Sequence, residues 1–436
     1  MKVSIVSLGC SKNLVDSEVI SGIIVKEGYE ITDSLEDAEI IIINTCSFIE
    51  EAKKESIENI LQLAEFKKYG ICKKLIVVGC LPQRYPKELL TELKEADIFI
   101  GTGEFYRIGE ILKENSNKED RRIYINDPQF IYDHETPRIG LTEPYTAYVK
   151  ISEGCENFCS YCVIPKIRGR LRSRPLESVV KEVKSLVSNG VKEINIIGQD
   201  ITSYGKDIGI DLKLLLNRLV KIKDIKWIRL LYTHPAHIDE ELINIIKNEG
   251  KICKYIDVPI QHINNRILEM MNRKINREYI EDLIFKIRDK IPDITLRTSI
   301  IVGFPGESGE EFNELLEFIK YMKFERLGAF IYSREEGTLA SKLPYHIPER
   351  VKKNRYKRLM ETQAQISFEK NREKIGMKEE AIIEGYKDSI LIGRASSQAP
   401  EVDGVTYITK GWGEIGELVN IIFRDADYYD LYGEIY

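Results

Sequence analysis

Short runs of Ile, Val and Leu alternate with longer amphipathic stretches through most of this chain, and the alternation restarts part-way along. Val3 to Leu8, Glu39 to Ile43, Lys74 to Val78 and Ile98 to Ile100 read as strands, with helices over Leu14 to Glu27 and Glu50 to Lys68. Near-continuous apolar residues in a strand imply burial on both faces, which predicts a parallel sheet flanked by helices. Residues 1–120 are therefore expected to form a small doubly wound α/β domain. The polar stretch Glu114 to Asp120 and the Pro-punctuated segment Asp127 to Pro144 show neither period, and residues 121–144 read as a linker.

The pattern resumes with strands at Ala147 to Ile151, Glu193 to Ile197, Trp227 to Leu231, Tyr255 to Pro259, Leu296 to Val302 and Leu327 to Tyr332. Helical sequence follows each of the first five. Six strands are too few for a closed eight-stranded barrel, so residues 145–375 predict a partial, open-sided βα barrel trailed by a long charged helix from Pro348 to Ile375. After Gly376 the runs become short and β-rich (AIIEGY, ILIGRA, VTYITK, LVNIIFR, YDLYGEI), which predicts a five-stranded antiparallel barrel over residues 376–436.

Composition narrows the function classes. With 43% apolar and 31% charged residues the chain is neither fibrous nor a disordered polymer. No apolar run approaches the ~20 residues of a membrane span, and MKVSIVSLGC leads straight into a strand, so a cytoplasmic protein without membrane contact is expected. Formal charge is -6, which gives no chain-wide basic footprint for nucleic acid. From Lys378 onward, five Lys or Arg face twelve Asp or Glu, so this tail carries -7 and the rest of the chain +1.

In a reducing compartment the eight cysteines are to be read for metal or catalysis before disulfides. Cys155, Cys159 and Cys162, in SEGCENFCSYC just past the first barrel strand, can bind three irons of a 4Fe-4S cluster and leave the fourth open. A zinc site is the bland alternative, but zinc wants four ligands and no His or fourth Cys lies nearby. Cys10, Cys46 and Cys80 are far apart in sequence, yet each lies immediately beyond the carboxyl end of a parallel strand, where open α/β sheets build their sites. Convergence there suggests a second three-thiolate cluster; three buried core thiols are the rival reading. Cys72 and Cys253 have no such placement and read as structural.

The spacing C-x3-C-x2-C, with Tyr161 before the last Cys, matches the motif of radical S-adenosylmethionine enzymes. Together with the three-Cys α/β domain and the small terminal barrel, it resembles the methylthiotransferase family over the full length of the chain. GCSKNLVDSE, NTCSFIEEAKKESI, GCLPQRY and APEVDG look like its RimO branch, where Ser11 replaces the commoner Pro. The tRNA-modifying MiaB branch typically has QMN where this chain has SKN. The resemblance implies two 4Fe-4S clusters, S-adenosylmethionine as cofactor, and a TRAM-like, OB-like terminal barrel. It also implies attachment of a methylthio group to the β-carbon of one aspartate in small-subunit ribosomal protein twelve, served by an electron donor and a sulfur source. One S-adenosylmethionine methylates a sulfur on the open iron of the Cys10/Cys46/Cys80 cluster, and another gives a radical at the Cys155/Cys159/Cys162 cluster. Beyond the clusters no catalytic residue is identified.

An aspartate β-carbon hydrogen has no usable acidity at neutral pH, so abstraction as an atom suits it better than a side-chain base. An acidic tail would repel RNA phosphates and attract a basic ribosomal protein, which disfavours tRNA as partner. Contacts to S-adenosylmethionine are expected from Tyr161, from Gln199 and Asp200 at the end of the second barrel strand, and from Gly303 in SIIVGFPGE. The rival reading of these is ordinary strand-end and turn chemistry. Arg168, Arg170, Arg172 and Arg174 read as solvated or loop-pinning, and His234, His237 and His262 as polar lining. Two alternatives stand: a tRNA adenosine methylthiotransferase, and a non-catalytic iron-sulfur protein.

Overall fold

The computed structural model describes residues 1–115, 120–388 and 390–436. Part of the polar stretch Glu114 to Asp120 lies outside them. The first sheet comprises β1 (Lys2–Ser7), β2 (Glu30–Ile31), β3 (Ile40–Thr45), β4 (Lys74–Gly79), β5 (Ile98–Gly101) and β6 (Arg122–Tyr124), all parallel, in the order β2-β1-β3-β4-β5-β6. Every residue of β3 is buried, as its unbroken IIII run requires. The helix Glu50–Tyr69 places Glu50 and Glu51 in its first turn and Lys67 and Lys68 in its last, complementing the helix dipole at both ends. Strand β6 is a correction: it lies inside the segment expected to be linker. Three residues with only Ile123 and Tyr124 apolar give no readable period, and pairing to β5 is what makes them a strand.

The second sheet contains β7 (Thr146–Lys150), β10 (Glu193–Ile197), β11 (Trp227–Leu230), β12 (Ile252–Asp257), β13 (Thr295–Val302) and β14 (Arg326–Ile331), all parallel and in sequence order. It is the expected open half-barrel. A two-stranded ribbon of β8 (Ser152–Glu153) and β9 (Arg172–Ser173) leads out of β7. Alternate strand residues such as Val149, Ile194, Ile228 and Leu296 pack against the outer helices, whereas Tyr148, Trp227 and Tyr255 face inward and join the core of the first domain.

The segment between these domains is a packed strap. Arg138 donates to Glu18 of the helix Ser11–Lys26, to Glu182 and to the Tyr148 carbonyl.

The terminal strands β15 (Lys378–Lys387), β16 (Ile390–Ala395), β17 (Thr406–Lys410), β18 (Leu418–Ala426) and β19 (Leu431–Ile435) close a barrel in the order β15-β16-β17-β19-β18. Contrary to the expectation of a wholly antiparallel barrel, β17 and β19 run parallel. The reason is parity: five strands cannot alternate in direction around a closed ring, so at least one neighbouring pair must run the same way.

This barrel is clamped to the inner face of the half-barrel. Glu193 of β10 holds both Arg229 of β11 and Arg394 of β16, with side chains at most 3% exposed. Trp227 donates its indole N–H to Glu380, Tyr255 its hydroxyl to Asp403, Arg229 to the Ser396 carbonyl, and Lys192 to the Gly416 carbonyl. Burial pushes the Glu193 carboxyl up, but Arg394 and Arg229 outweigh it and hold it at about 2. A carboxyl depressed by folding contributes stability that is complete above its unfolded value, near 4.3, and lost as pH falls through the folded one. Arg394→Met leaves Glu193 paired with Arg229 alone and is expected to cost about 1.5–3 kcal/mol of docking stability, the scale of a hydrogen bond to a charged group. The difference from wild type should shrink as pH falls from 5 toward 2. Trp227 fluorescence in a Trp412→Phe background during urea titration reads this, and an unchanged midpoint would refute it.

Candidate iron-sulfur sites and an adjoining cleft

Cys10 caps the start of α1 (Ser11–Lys26), Cys46 follows β3, and Cys80 follows β4. Adjacent parallel strands bring the three thiols into mutual electrostatic reach. The close approach depends on glycine. Gly9 has φ +88°, and a Cβ there would stand 2.7 Å from Cys46 Cβ; Gly79 has φ +102°, and its Cβ would stand 2.3 Å from Asn44 Oδ1. Asn13, one turn into α1, ties the ends together by donating to the Leu8 and Thr45 carbonyls at 3.0 Å. Cys46 is fixed by Ser56, whose hydroxyl accepts its N–H and donates to its carbonyl.

The second set lies in the loop after β8. Its backbone is pinned from several sides: Ser160 donates its N–H to the Met271 carbonyl and its hydroxyl to the Met270 carbonyl, and Ala340 N–H donates to the Ser160 carbonyl. Asn157, between the first two cysteines, donates to Asp200 at 2.8 Å. Arg273, buried, reaches Cys159 Sγ at 3.4 Å.

Arg168 connects the two sets. It is 2% exposed and donates to Asp16, to Asn13 Oδ1, to Glu153 and to Cys80 Sγ, the last at 3.7 Å. Glu153 stands two residues before Cys155. Burial pushes its carboxyl up, yet Lys150 and Arg168 prevail and hold it at about 2. Lys150 also pairs with Asp16, so two cations and two carboxylates fill the seam between the domains.

The thiol environments differ. Burial pushes Cys46 up to about 12 and Cys155 up to about 11. At Cys10 burial acts the same way, but Lys12 and Arg168 outweigh it and the thiol falls below its ordinary value. Each set thus offers three thiols and a guanidinium to offset thiolate charge, the donor chemistry an iron-sulfur cluster needs. Among the described residues no group of three or more His, Cys, Asp or Glu is gathered as around one metal ion. A cubane spreads its protein ligands over separate irons, so three thiols can serve one without converging on a single ion.

Other expected residues fall out variously. Asp200 already accepts from Thr202, Ser203, His237 and Asn157, so it pins the cysteine loop. Gly303 has φ +75°, and a Cβ there would lie 2.4 Å from Lys352 Cγ, which accounts for the glycine. Tyr161 packs with Phe304 and Tyr332 beside Cys159, and Gln199 is half-buried at the end of β10. Burial holds the His234 and His262 rings at about 3, hence neutral. Of the arginine run only Arg170 is exposed, while Arg168 and Arg174 are buried ion-pair members. Cys72 donates to the Lys74 carbonyl and Cys253 joins the apolar interior. Sequence reading missed Lys12, Asn13, Asp16, Tyr232 and Arg273. For the first three the signal was available: polar residues in the first turns of a helix that begins at a candidate ligand.

A cleft of about 550 Å³ opens beside Cys10, lined by Ser11, Tyr145, Tyr148, Glu143, Glu384 and Glu401 among others. All three domains contribute to it.

Three family models match: Radical SAM superfamily over residues 149–319, Uncharacterized protein family UPF0004 over 2–101, and TRAM domain over 375–435. The ribosomal protein uS12 methylthiotransferase RimO of Pelobacter propionicus is 54% identical over 439 aligned residues, covering 100% of this chain and 98% of that protein. Those of Geobacter sulfurreducens and Clostridioides difficile are 53% and 48% identical, covering 100% of this chain and 98% and 99% of theirs. Among solved structures, the radical S-adenosylmethionine methyltransferase TsrM of Kitasatospora setae shares the fold with a TM-score of 0.54 at 16% identity, over 75% of this chain and 72% of that one. Among the described residues no helix is long and apolar enough to cross a membrane.

Proposed function

Because this chain belongs to the family of ribosomal protein uS12 methylthiotransferases RimO, we propose that it attaches a methylthio group to the β-carbon of one aspartate in uS12. The observation that carries the reading beyond family membership is the pair of three-cysteine sets joined through Arg168. Cys10, Cys46 and Cys80 would hold one 4Fe-4S cluster, and Cys155, Cys159 and Cys162 a second. When bound, the second cluster and S-adenosylmethionine supply a carbon-centred oxidant able to take a hydrogen atom from carbon, and the first would hold the sulfur to be transferred.

The chain's own residues arrange this chemistry. Arg168 and Asn13 keep the Cys80 loop against α1, so the two sets stay in register across the domain seam. Asp200 and Arg273 hold the second loop from opposite sides. Tyr161 and the backbone around Gly303 remain candidates for the S-adenosylmethionine contact, with Gln199 and Asp200 at the β10 end.

The acidic tail supports a basic protein as partner, and the acids free for that role are those not spent on docking. Glu379, Glu380, Glu384 and Asp403 are engaged in docking and local bonds, whereas Glu401, Glu414, Glu417, Asp425 and Asp427 are exposed. Together with Glu143 at the cleft beside Cys10, these exposed acids would form the approach for a Lys- and Arg-rich segment of uS12. An electron donor and a sulfur source complete the requirement.

The test is mass spectrometry of uS12 and of bulk tRNA after anaerobic incubation with reconstituted protein. A gain of one methylthio group on an aspartate of uS12 is expected, with none on tRNA. Reversal of Asp425 and Asp427 to Lys should raise KM several-fold at 0.1 M salt, where the Debye length is ~10 Å, and much less at 1 M, where it is ~3 Å. Methylthiolation of tRNA instead of uS12 would sink the reading.

A further inference from the structure

Lys12 is a buried cation that no carboxylate among the described residues pairs, and the acidic groups within its field are the Tyr232 hydroxyl and the Cys10 thiol. The residue is 5% exposed, and its ammonium stands 3.2 Å from the centroid of the Tyr232 ring. Among the described residues it forms no ion pair. The charges around it are matched elsewhere: Arg168 and Lys150 share Asp16 and Glu153. Asp257, whose field reaches Lys12, accepts the Tyr232 N–H at 3.1 Å and stands beyond ion-pair distance. A ring face returns only a fraction of the hydration that a buried ammonium gives up.

The ring is held there at a conformational cost. Tyr232 has φ +64°, a left-handed backbone that an aromatic residue rarely adopts. Its amide is tied to Asp257, and its hydroxyl lies 3.2 Å from Ser11 Oγ. Strain of this kind persists where the surroundings fix the residue for a purpose. Cys10 and Ser11, the two residues before Lys12 in the chain, line the cleft described above.

We propose that Lys12 binds the side-chain carboxylate of the target aspartate, and that it selects a substrate carrying that group. The inference rests on the reading of the target as an aspartate β-carbon. That carbon bears the carboxylate, so an ammonium two residues from Cys10 that grips the carboxylate sets the reacting carbon beside the sulfur-bearing site.

The experiment compares wild type, Lys12→Met and Lys12→Arg as full-length, reconstituted proteins acting on uS12. Iron per chain and S-adenosylmethionine cleavage are measured alongside. Lys12→Met is expected to lower kcat/KM for uS12 on the order of 30-fold or more, the scale of removing one partner from a buried charge pair. Iron content and cleavage should stay at wild-type level, and Lys12→Arg should recover part of the loss. An unchanged kcat/KM in Lys12→Met overturns the proposal. So does a loss of about half the iron in both variants, which would assign Lys12 to holding the first cluster. Failure of the wild type itself to modify uS12 would overturn the parent reading and this proposal with it.

Discussion

Cys46→Ala is expected to abolish methylthio transfer to uS12 while S-adenosylmethionine is still cleaved. Cys46 is 8% exposed, and its backbone is held by Ser56 independently of its sulfur. Losing one buried atom of that size costs on the order of 1 kcal/mol, small against the stability of a domain. The variant should therefore fold, lose the first cluster, and fall from about eight irons per chain to about four. Its 5'-deoxyadenosine production should stay within about two-fold of wild type, because the bonds that pin the second cysteine loop through Asp200, Met270, Met271 and Ala340 lie within its own domain. A folded variant that no longer cleaves S-adenosylmethionine would mean that the two sites are not separable.

The complementary substitution, Cys155, Cys159 and Cys162 all to Ala, should also leave about four irons per chain but stop both cleavage and transfer. The loop's anchoring bonds come from Ser160, Asn157 and Asn272, none of which is changed. Circular dichroism should match wild type. The two variants together form a diagnostic pair: transfer is lost in both, cleavage in one. Iron content undiminished in the triple variant would remove the assignment of these thiols as ligands.

Much of this was legible in the sequence for one physical reason. A strand buried on both faces must be apolar throughout, so all six half-barrel strands and four of the six first-sheet strands announce themselves. The cysteine sets were legible because each ligand follows such a strand, and Gly9 and Gly79 beside two of them mark where the chain turns close to its neighbours. Pairings were not legible. Strand β6 exists only through β5, and the parallel contact of β17 with β19 follows from closure of the barrel, which no local pattern records. Arg168 read as one cation of a run, and its role is set by Asp16 and Asn13, some 150 positions away. Asp200 stood at the expected strand end, but four donors from its own chain occupy it.

The clamped terminal barrel changes what removal of the tail would mean. Net charge alone describes the tail only as an acidic unit that would attract a basic protein. In the structure its departure would strip Trp227, Tyr255, Arg229 and Glu193 of their covering, leaving two buried ionic groups without Arg394 inside an opened half-barrel. Truncation therefore tests folding before it tests recruitment, and surface charge reversal is the cleaner instrument. A rigidly mounted acidic face also holds a fixed bearing to the cleft beside Cys10. On the reading above, it serves as a gauge and not a tether: a substrate is accepted only if its basic segment and its aspartate are spaced to meet both points at once.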